Sequence, residues 1–487
     1  MTRGVDISPS DARPSSRLIC RGARDSASAH APTASDELSL WREDGNTHDS
    51  RKGAWHARHT GKVMAYNLSG ETRMDDTMGG DNGRVAAKQQ ILFVDDEPNV
   101  LQGLRRMLHP LRHEWEMAFA GSGQEALEHL EHTPCDVVVS DMRMPGMDGA
   151  QLLAHIQLQY PHIVRLVLSG HSDRAMVLRS VRPAHQYLAK PCDTMMLQAT
   201  ITRACALHAL LGNVALRRLV SGMTTLPSLP ALYLQVQAAI QDPHVSVGKV
   251  GEVIGQDMGM TAKILQLVNS AFFGLQRSIA TPTEAVSLLG LDTVKTLVLS
   301  VHIFAYCDMA MLRALSLHTL WQHSLAIGAC AKRIIEMEGG DPSMADEAFT
   351  AGLLHDMGKL VLATNLPELY GAACTLAQEQ DLTDWEGERV IYGATHTEVG
   401  AYLLGLWGLP DPLVEALAYH HCPSACPTRA LSPLMAVHVA NALGDENEAA
   451  KHTRSVDLRY LEELGLDDRL AHWHKQCQPL LEQEIGL

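Results

Sequence analysis

The sequence predicts a multidomain protein in which an α/β doubly wound domain, built on a five-stranded parallel sheet, precedes an all-α domain. Two observations carry this. Between Gln90 and Ala209 short β-rich runs alternate with amphipathic stretches, the pattern of strands covered by helices. Beyond "TTLPSLP" (224–230), where two prolines break the helical period, periodicity near 3.6 continues with Gly and Pro punctuation and no convincing strand. At 487 residues, 46% of them apolar and only 5% aromatic, the chain exceeds one ordinary core and leans helical.

Residues 1–88, rich in Ser, Arg, Asp, Gly and His, show no period that would bury a face and are expected to be a disordered extension. Met64, Met74 and Met78 also offer later translation starts. The α/β domain spans 89–209, with strands expected at Ile91 to Val94, Trp115 to Phe119, Val137 to Ser140, Val164 to Leu168 and Gln186 to Ala189. Thr194 to about Val220 reads as a closing helix running on as a connector, so 210–223 is assigned as connector helix or linker. The helical domain is placed at 224–445, with a C-terminal helical tail at 446–487.

Net charge bounds the partners. At −16 the chain disfavours a nucleic-acid partner held on a broad basic surface. The longest apolar run, Thr296 to Cys307, is interrupted by His302 and flanked by Lys295 and Asp308, too short for a bilayer, so no membrane partner is expected. The N-terminus offers no apolar core for a signal peptide. Ten scattered cysteines fit a reducing compartment, and the location expected is cytoplasmic.

In a doubly wound fold the ligand site lies at the carboxyl ends of the strands. The polar residues gather there: Asp95 and Asp96 at the first strand, Asp141 at the third, Ser169 at the fourth and Lys190 at the fifth. Three carboxylates converging on one edge need a cation, and oxygen-only ligation suits Mg²⁺. Lys190 and Ser169 supply donors for phosphoryl oxygens. The stretches "ILFVDDEP", "VVVSDMRMPGMDG", "LVLSG" and "YLAKP" resemble the receiver domain of two-component response regulators, a flavodoxin-like fold. The resemblance implies that Asp141 is the phospho-acceptor and that Asp95, Asp96 and the backbone carbonyl of Arg143 hold Mg²⁺. It further implies that Ser169 and Tyr187 form a switch pair, that the Lys190–Pro191 bond is cis, and that the donor is a sensor histidine kinase or phosphotransfer protein.

In the helical half, "LPSLPALYLQV", "VIGQDMGMTAKILQLVNSAFFG" and "ATPTEAVSLLGLDTVKTLVL" resemble the HDOD output domain, an all-helical relative of the HD phosphohydrolases. "NSAFFG" (269–274) is expected to end a helix in a tight turn, with Phe272 and Phe273 anchoring the core. Further on come His323, His355 with Asp356, Lys359, His396, then His420 with His421, in the order of an HD-superfamily ligand set. Imidazoles and a carboxylate around Mn, Fe or Zn activate water for attack on phosphorus, and a lysine neutralises phosphate charge. Asn441, in "VHVANAL", stands where HD enzymes place a final aspartate, which lowers the affinity expected for metal.

The sequence therefore reads as a cytoplasmic response regulator signalling to a protein partner through an HDOD output with a reduced HD site. The alternative is a metal-dependent phosphohydrolase or phosphodiesterase under receiver control. A chain starting near Arg84 is expected to keep its melting temperature and its phosphorylation, and a large fall in melting temperature would show that residues 1–88 pack on the fold.

Overall fold

The computed structural model describes residues 88–170, 183–190, 193–223, 226–228, 230–242, 244–269, 278–296, 305–306, 317–444 and 456–482. The expected disordered extension, Phe272, Phe273 and the Lys190–Pro191 bond lie outside these residues.

The α/β half runs β1 (Gln89–Val94), α1 (Pro98–Met107), β2 (Trp115–Ala120), α2 (Gly123–His132), β3 (Val137–Asp141), α3 (Gly149–Gln159), β4 (Val164–Gly170), β5 (Gln186–Lys190) and α4 (Thr194–Leu210). The strands are parallel in the order β2-β1-β3-β4-β5, each expected strand extended by one or two residues. A strand buried on both faces reads as a continuous apolar run, as "VVV" does in β3. One sheet face packs Leu92, Val94, Val138 and Val167 against α2 and α3. The opposite face, with Ile91, Phe93, Val139 and Leu166, belongs to a core that continues without interruption through the helical half.

The expected closing helix is divided. After α4 the chain breaks and restarts as α5 (Val214–Gly222), because the Asn213 side chain accepts from the amides of Ala215 and Leu216 and caps a new helix. The helical half comprises α6 (Pro230–Gln241), α7 (Val247–Ile254), α8 (Met258–Asn269), α9 (Pro282–Leu289), α10 (Leu291–Thr296), α11 (Leu317–Met337), α12 (Pro342–Leu354), α13 (Met357–Asn365), α14 (Pro367–Gln380), α15 (Asp384–Tyr392), α16 (His396–Leu406), α17 (Asp411–Tyr419) and α18 (Pro433–Gly444). Two-residue segments, β6 (Pro227–Ser228) and β7 (Ala305–Tyr306), pair in parallel within it, a small addition to the all-α expectation. Asn269 ends α8 as its sequence suggested, its amide side chain exchanging hydrogen bonds with the Ile279 backbone at 2.7 and 2.6 Å. The C-terminal helices α19 (Leu458–Leu464) and α20 (Leu470–Leu481) pack back on this bundle, burying Trp473 and Cys477. Among the described residues no helix is long and apolar enough to cross a membrane.

One buried group joins the halves. Arg165, 1% exposed inside β4, donates to the carbonyls of Pro183 (2.6 Å), Pro161 (3.1 Å), Ile163 (3.0 Å) and Ser221 (2.6 Å), the last on α5. His185 accepts the Arg165 amide N–H on Nδ1 at 3.1 Å, so its Nε2–H is the donor to the Ser221 carbonyl at 2.8 Å. The Ser221 hydroxyl meets Tyr402 of α16 at 2.8 Å. Burial pulls the guanidinium down to about 9, which leaves it charged at neutral pH. Arg165→Met keeps the bulk but takes the guanidinium from the carbonyls of Pro161, Ile163 and Pro183 and leaves that of Ser221 to His185 alone, and should cost about 3 kcal/mol or more; an unchanged urea midpoint would show that the node does not hold the halves together.

Candidate functional site

Two constellations stand out. At the carboxyl edge of the sheet, Lys190 on the last residue of β5 pairs with Asp95 at 2.7 Å and also with Asp141. Asp95 and Asp141 are buried, and each accepts a backbone amide, from Glu97 at 2.9 Å and Arg143 at 2.8 Å. Burial works against the Lys190 charge, but hydrogen bonds to Asp141 and Asp95 outweigh it and raise its pKa. Asp96 is half-buried beside them. The three carboxylates do not close on one point: among the described residues, sets of three ligand atoms within 4.8 Å occur in the helical half only. Ser169 lies on β4, its side chain outside the described atoms, and Tyr187 is turned into the core at 3% exposure. Arg143 is exposed on the loop after Asp141.

The second constellation gathers every histidine that the sequence singled out. His355 follows α12 and Asp356 precedes α13, His396 opens α16, His420 and His421 follow α17, His323 sits on α11, and Asn441 on α18. Two sets of ligand atoms result, His323/His355/Asp356 and His396/His420/His421. Asp356 joins them: Oδ2 lies 3.4 Å from His355 Nε2 and Oδ1 3.2 Å from His396 Nε2. The approach of α13 to α16 depends on Gly358, since a Cβ there would strike the His396 carbonyl oxygen. Asn441 offers Oδ1 to His323 Nε2 at 3.1 Å.

The hydrogen bonds fix which ring atoms face inward. His355 Nδ1 lies 2.7 Å from the Gly352 carbonyl and His420 Nδ1 3.0 Å from the Leu417 carbonyl, so each Nδ1 carries the proton. Their Nε2 lone pairs then point into the centre, where both atoms, and Asp356 Oδ1, are buried without a hydrogen-bond partner. His396 Nδ1 donates to Glu388 at 2.7 Å, which leaves its Nε2 lone pair facing Asp356 and, at 3.2 Å, His421 Nε2. A hydrogen-bond donor such as water, a proton or a metal ion can sit among such atoms favourably. Two further inward imidazole nitrogens exceed what one proton could satisfy. The set of imidazoles with one carboxylate fits Zn, Fe or Mn.

Electrostatics keep the ligands ready. Burial lowers His355 to about 4 and, with neighbouring imidazoles, holds His420 and His421 well below the usual histidine range, so all three are neutral at pH 7. Burial opposes ionisation of Asp356, but His355, Lys359 and His396 outweigh it and hold its carboxyl well below the usual range. Lys359 lies 3.1 Å from Asp356 and 3.4 Å from Asp384.

Sequence reasoning missed the α15 contribution. Glu388, 2% exposed, orients His396 as carboxylates orient metal-binding histidines; Trp385 stacks on His421 and Asp384 pairs with Lys359. Their spacing at 384, 385 and 388 puts all three on one helix face, a signal visible in "DWEGE" but tied to no motif.

Residues 91–202 match the family model of the response regulator receiver domain and residues 226–423 that of the HDOD domain. An uncharacterised protein of Treponema pallidum is 28% identical over 199 residues, 40% of this chain and 37% of that one. The hydrogenase transcriptional regulatory protein HoxA of Cupriavidus necator is 33% identical over 126 residues, 26% of each chain. The chain thus spans well under half the length of these curated relatives. A solved structure of the MmoQ response regulator from Methylococcus capsulatus is 24% identical, covers 53% of this chain and 98% of its own, and superposes with a TM-score of 0.41. Gly358→Ala should destabilise the chain by about 1–3 kcal/mol, because backbone rather than a side chain must move; an unaltered denaturation midpoint would mean that α13 and α16 can separate freely.

Proposed function

We propose, for a chain that joins a response regulator receiver domain to an HDOD domain, that Asp141 accepts a phosphoryl group from a histidine kinase or phosphotransfer protein in the cytoplasm. The observation that supports this most is the single ammonium of Lys190 shared by Asp95 and Asp141 at the carboxyl edge of the sheet. Asp95, Asp96 and the Arg143 carbonyl are the groups that would hold Mg²⁺. That ion would neutralise charge on the incoming phosphoryl oxygens. Lys190 would exchange a carboxylate partner for a phosphoryl oxygen, and Ser169 and Tyr187 would respond to that exchange. The HDOD half then passes the signal to a protein partner by contact.

A second reading concerns the same output half, and the inward, partnerless atoms of His355, His420 and Asp356 favour it. In it, the histidine centre holds a divalent metal, Mn, Fe or Zn, and acts as an HD-type phosphohydrolase. A bound metal would supply a Lewis acid that lowers the pKa of water. The chain's own groups do the rest: Glu388 fixes the His396 ring, Lys359 balances Asp356, and half-buried His323 and His421 lie on the accessible side. Asn441 supplies no charge, so metal retention without fast turnover is the outcome expected.

Incubation with acetyl phosphate and Mg²⁺ should label the wild type once and leave Asp141→Asn unlabelled; equal labelling of both would refute the acceptor. The purified chain should retain Mn, Fe or Zn by elemental analysis and lose it in Asp356→Ala. Cleavage of bis(p-nitrophenyl) phosphate that disappears in the same variant would decide for the hydrolase.

A further inference from the structure

Helices α16 and α17 form a hairpin with its two ends in different places. Its open end carries His396, at the start of α16, and His420 and His421, just past the end of α17. These three make up one of the two ligand sets. Its closed end, residues 406–411, rests on the receiver.

The receiver's contacts there add to the hairpin's own cap at the end of α16, where the amides of Trp407, Gly408 and Leu409 donate to the carbonyls of Leu403, Gly405 and Leu404. From the receiver, Gln186 Nε2 donates to the Leu406 carbonyl at 2.9 Å and reaches that of Gly405 at 3.4 Å. At the start of α17 the N-cap position is Pro410, which has no capping side chain. Arg203 of α4 donates to the Leu409 carbonyl beside it and pairs with Asp411 at 2.9 Å. Helix α4 can come this close because residue 405 is glycine: a Cβ there would lie 2.6 Å from the Leu207 side chain.

On the receiver side these contacts connect to the acceptor. Gln186 opens the five-residue strand β5 and Lys190, paired with Asp141 and Asp95, closes it. The other ligand set stands on α11 and around the α12–α13 junction, outside the hairpin. The joint between the two sets is the 3.2 Å approach of Asp356 Oδ1 to His396 Nε2.

We infer that the receiver positions the His396, His420 and His421 set by gripping the tip of the α16–α17 hairpin, with Gln186 and Arg203 as the positioning residues. A change at Asp141 that moves β5 moves the tip. The 11-residue α16, about 16 Å long, carries the displacement to the three histidines together. The spacing between the ligand sets, and with it the affinity for metal, then depends on the state of the receiver. By linkage, metal in the centre shifts the acceptor by the same factor.

The inference rests on the metal reading of the histidine centre, and one titration separates the two. The full chain, in excess Mg²⁺, is titrated with Co²⁺ by its visible absorption, with and without beryllium fluoride as a phosphoryl mimic on Asp141. The expected result is a Co²⁺ affinity that changes by about 5- to 150-fold with the mimic, and a change that falls below about twofold in Gln186→Glu and in Arg203→Lys. Gln186→Glu is isosteric and turns an amide donor into an acceptor facing two carbonyls, and the circular dichroism of both variants is checked against wild type. A wild-type affinity indifferent to the mimic overturns the inference and leaves the metal reading standing. A shift that persists in both variants overturns the role given to Gln186 and Arg203. No Co²⁺ band, or one that survives in His396→Ala and His420→Ala, overturns the metal reading and the inference with it.

Discussion

A guanidinium buried with carbonyl partners rather than a carboxylate determines where the helical half can sit. Arg165 needs a full set of acceptors because a buried charge left short of partners costs far more than an exposed one. Three of its four carbonyls come from its own neighbourhood, at Pro161, Ile163 and Pro183, and the fourth must be brought in from α5. Ser221 supplies it, and the Ser221 hydroxyl then meets Tyr402. That contact sets α16 across α4 and α5, and the start of α16 is where His396 meets Asp356. The geometry of the histidine centre therefore traces back to a residue near the start of a sheet strand.

The strands were legible because a parallel sheet covered on both faces demands long apolar runs, and "ILFV", "VVVS" and "LVLS" could hardly be anything else. The acidic edge was legible for a similar reason, since each polar residue ends a run. The histidines could be collected from order alone. What could not be read was the support around them. Glu388 is separated from its ring by only eight residues, yet nothing in "DWEGERV" announces that a glutamate on a short helix will be buried against an imidazole. Arg165 was visible as an anomaly, a charge inside an otherwise apolar strand, but its partners on α5 lie beyond any sequence pattern. The break between α4 and α5 escaped because the apolar period continues across it, and only the Asn213 cap stops the helix.

The histidine centre shows how a shortage of formal charge can be met from outside the ligand ring. Asn441 contributes a neutral carbonyl to His323. Glu388 leans on His396 from behind, so that its negative charge strengthens a neutral ligand instead of binding a cation itself. Lys359 acts in the opposite direction on Asp356, held there by Asp384 as well. The centre balances these groups through two-partner contacts, and each is anchored by a helix that also packs the core.

That core has no seam. Ile91 and Phe93 of the sheet, Leu207 and Leu216 of the connecting helices, and Leu403, Val437 and Trp473 of the bundle form one apolar cluster. Linked cassettes joined by a tether can be exchanged between proteins, each bringing its own melting behaviour. Here the α/β part has given one face of its sheet to a common interior. Replacing it with a homologous cassette would mean re-cutting a shared surface, so the two parts should melt as a single cooperative unit and accumulate compensating substitutions in step.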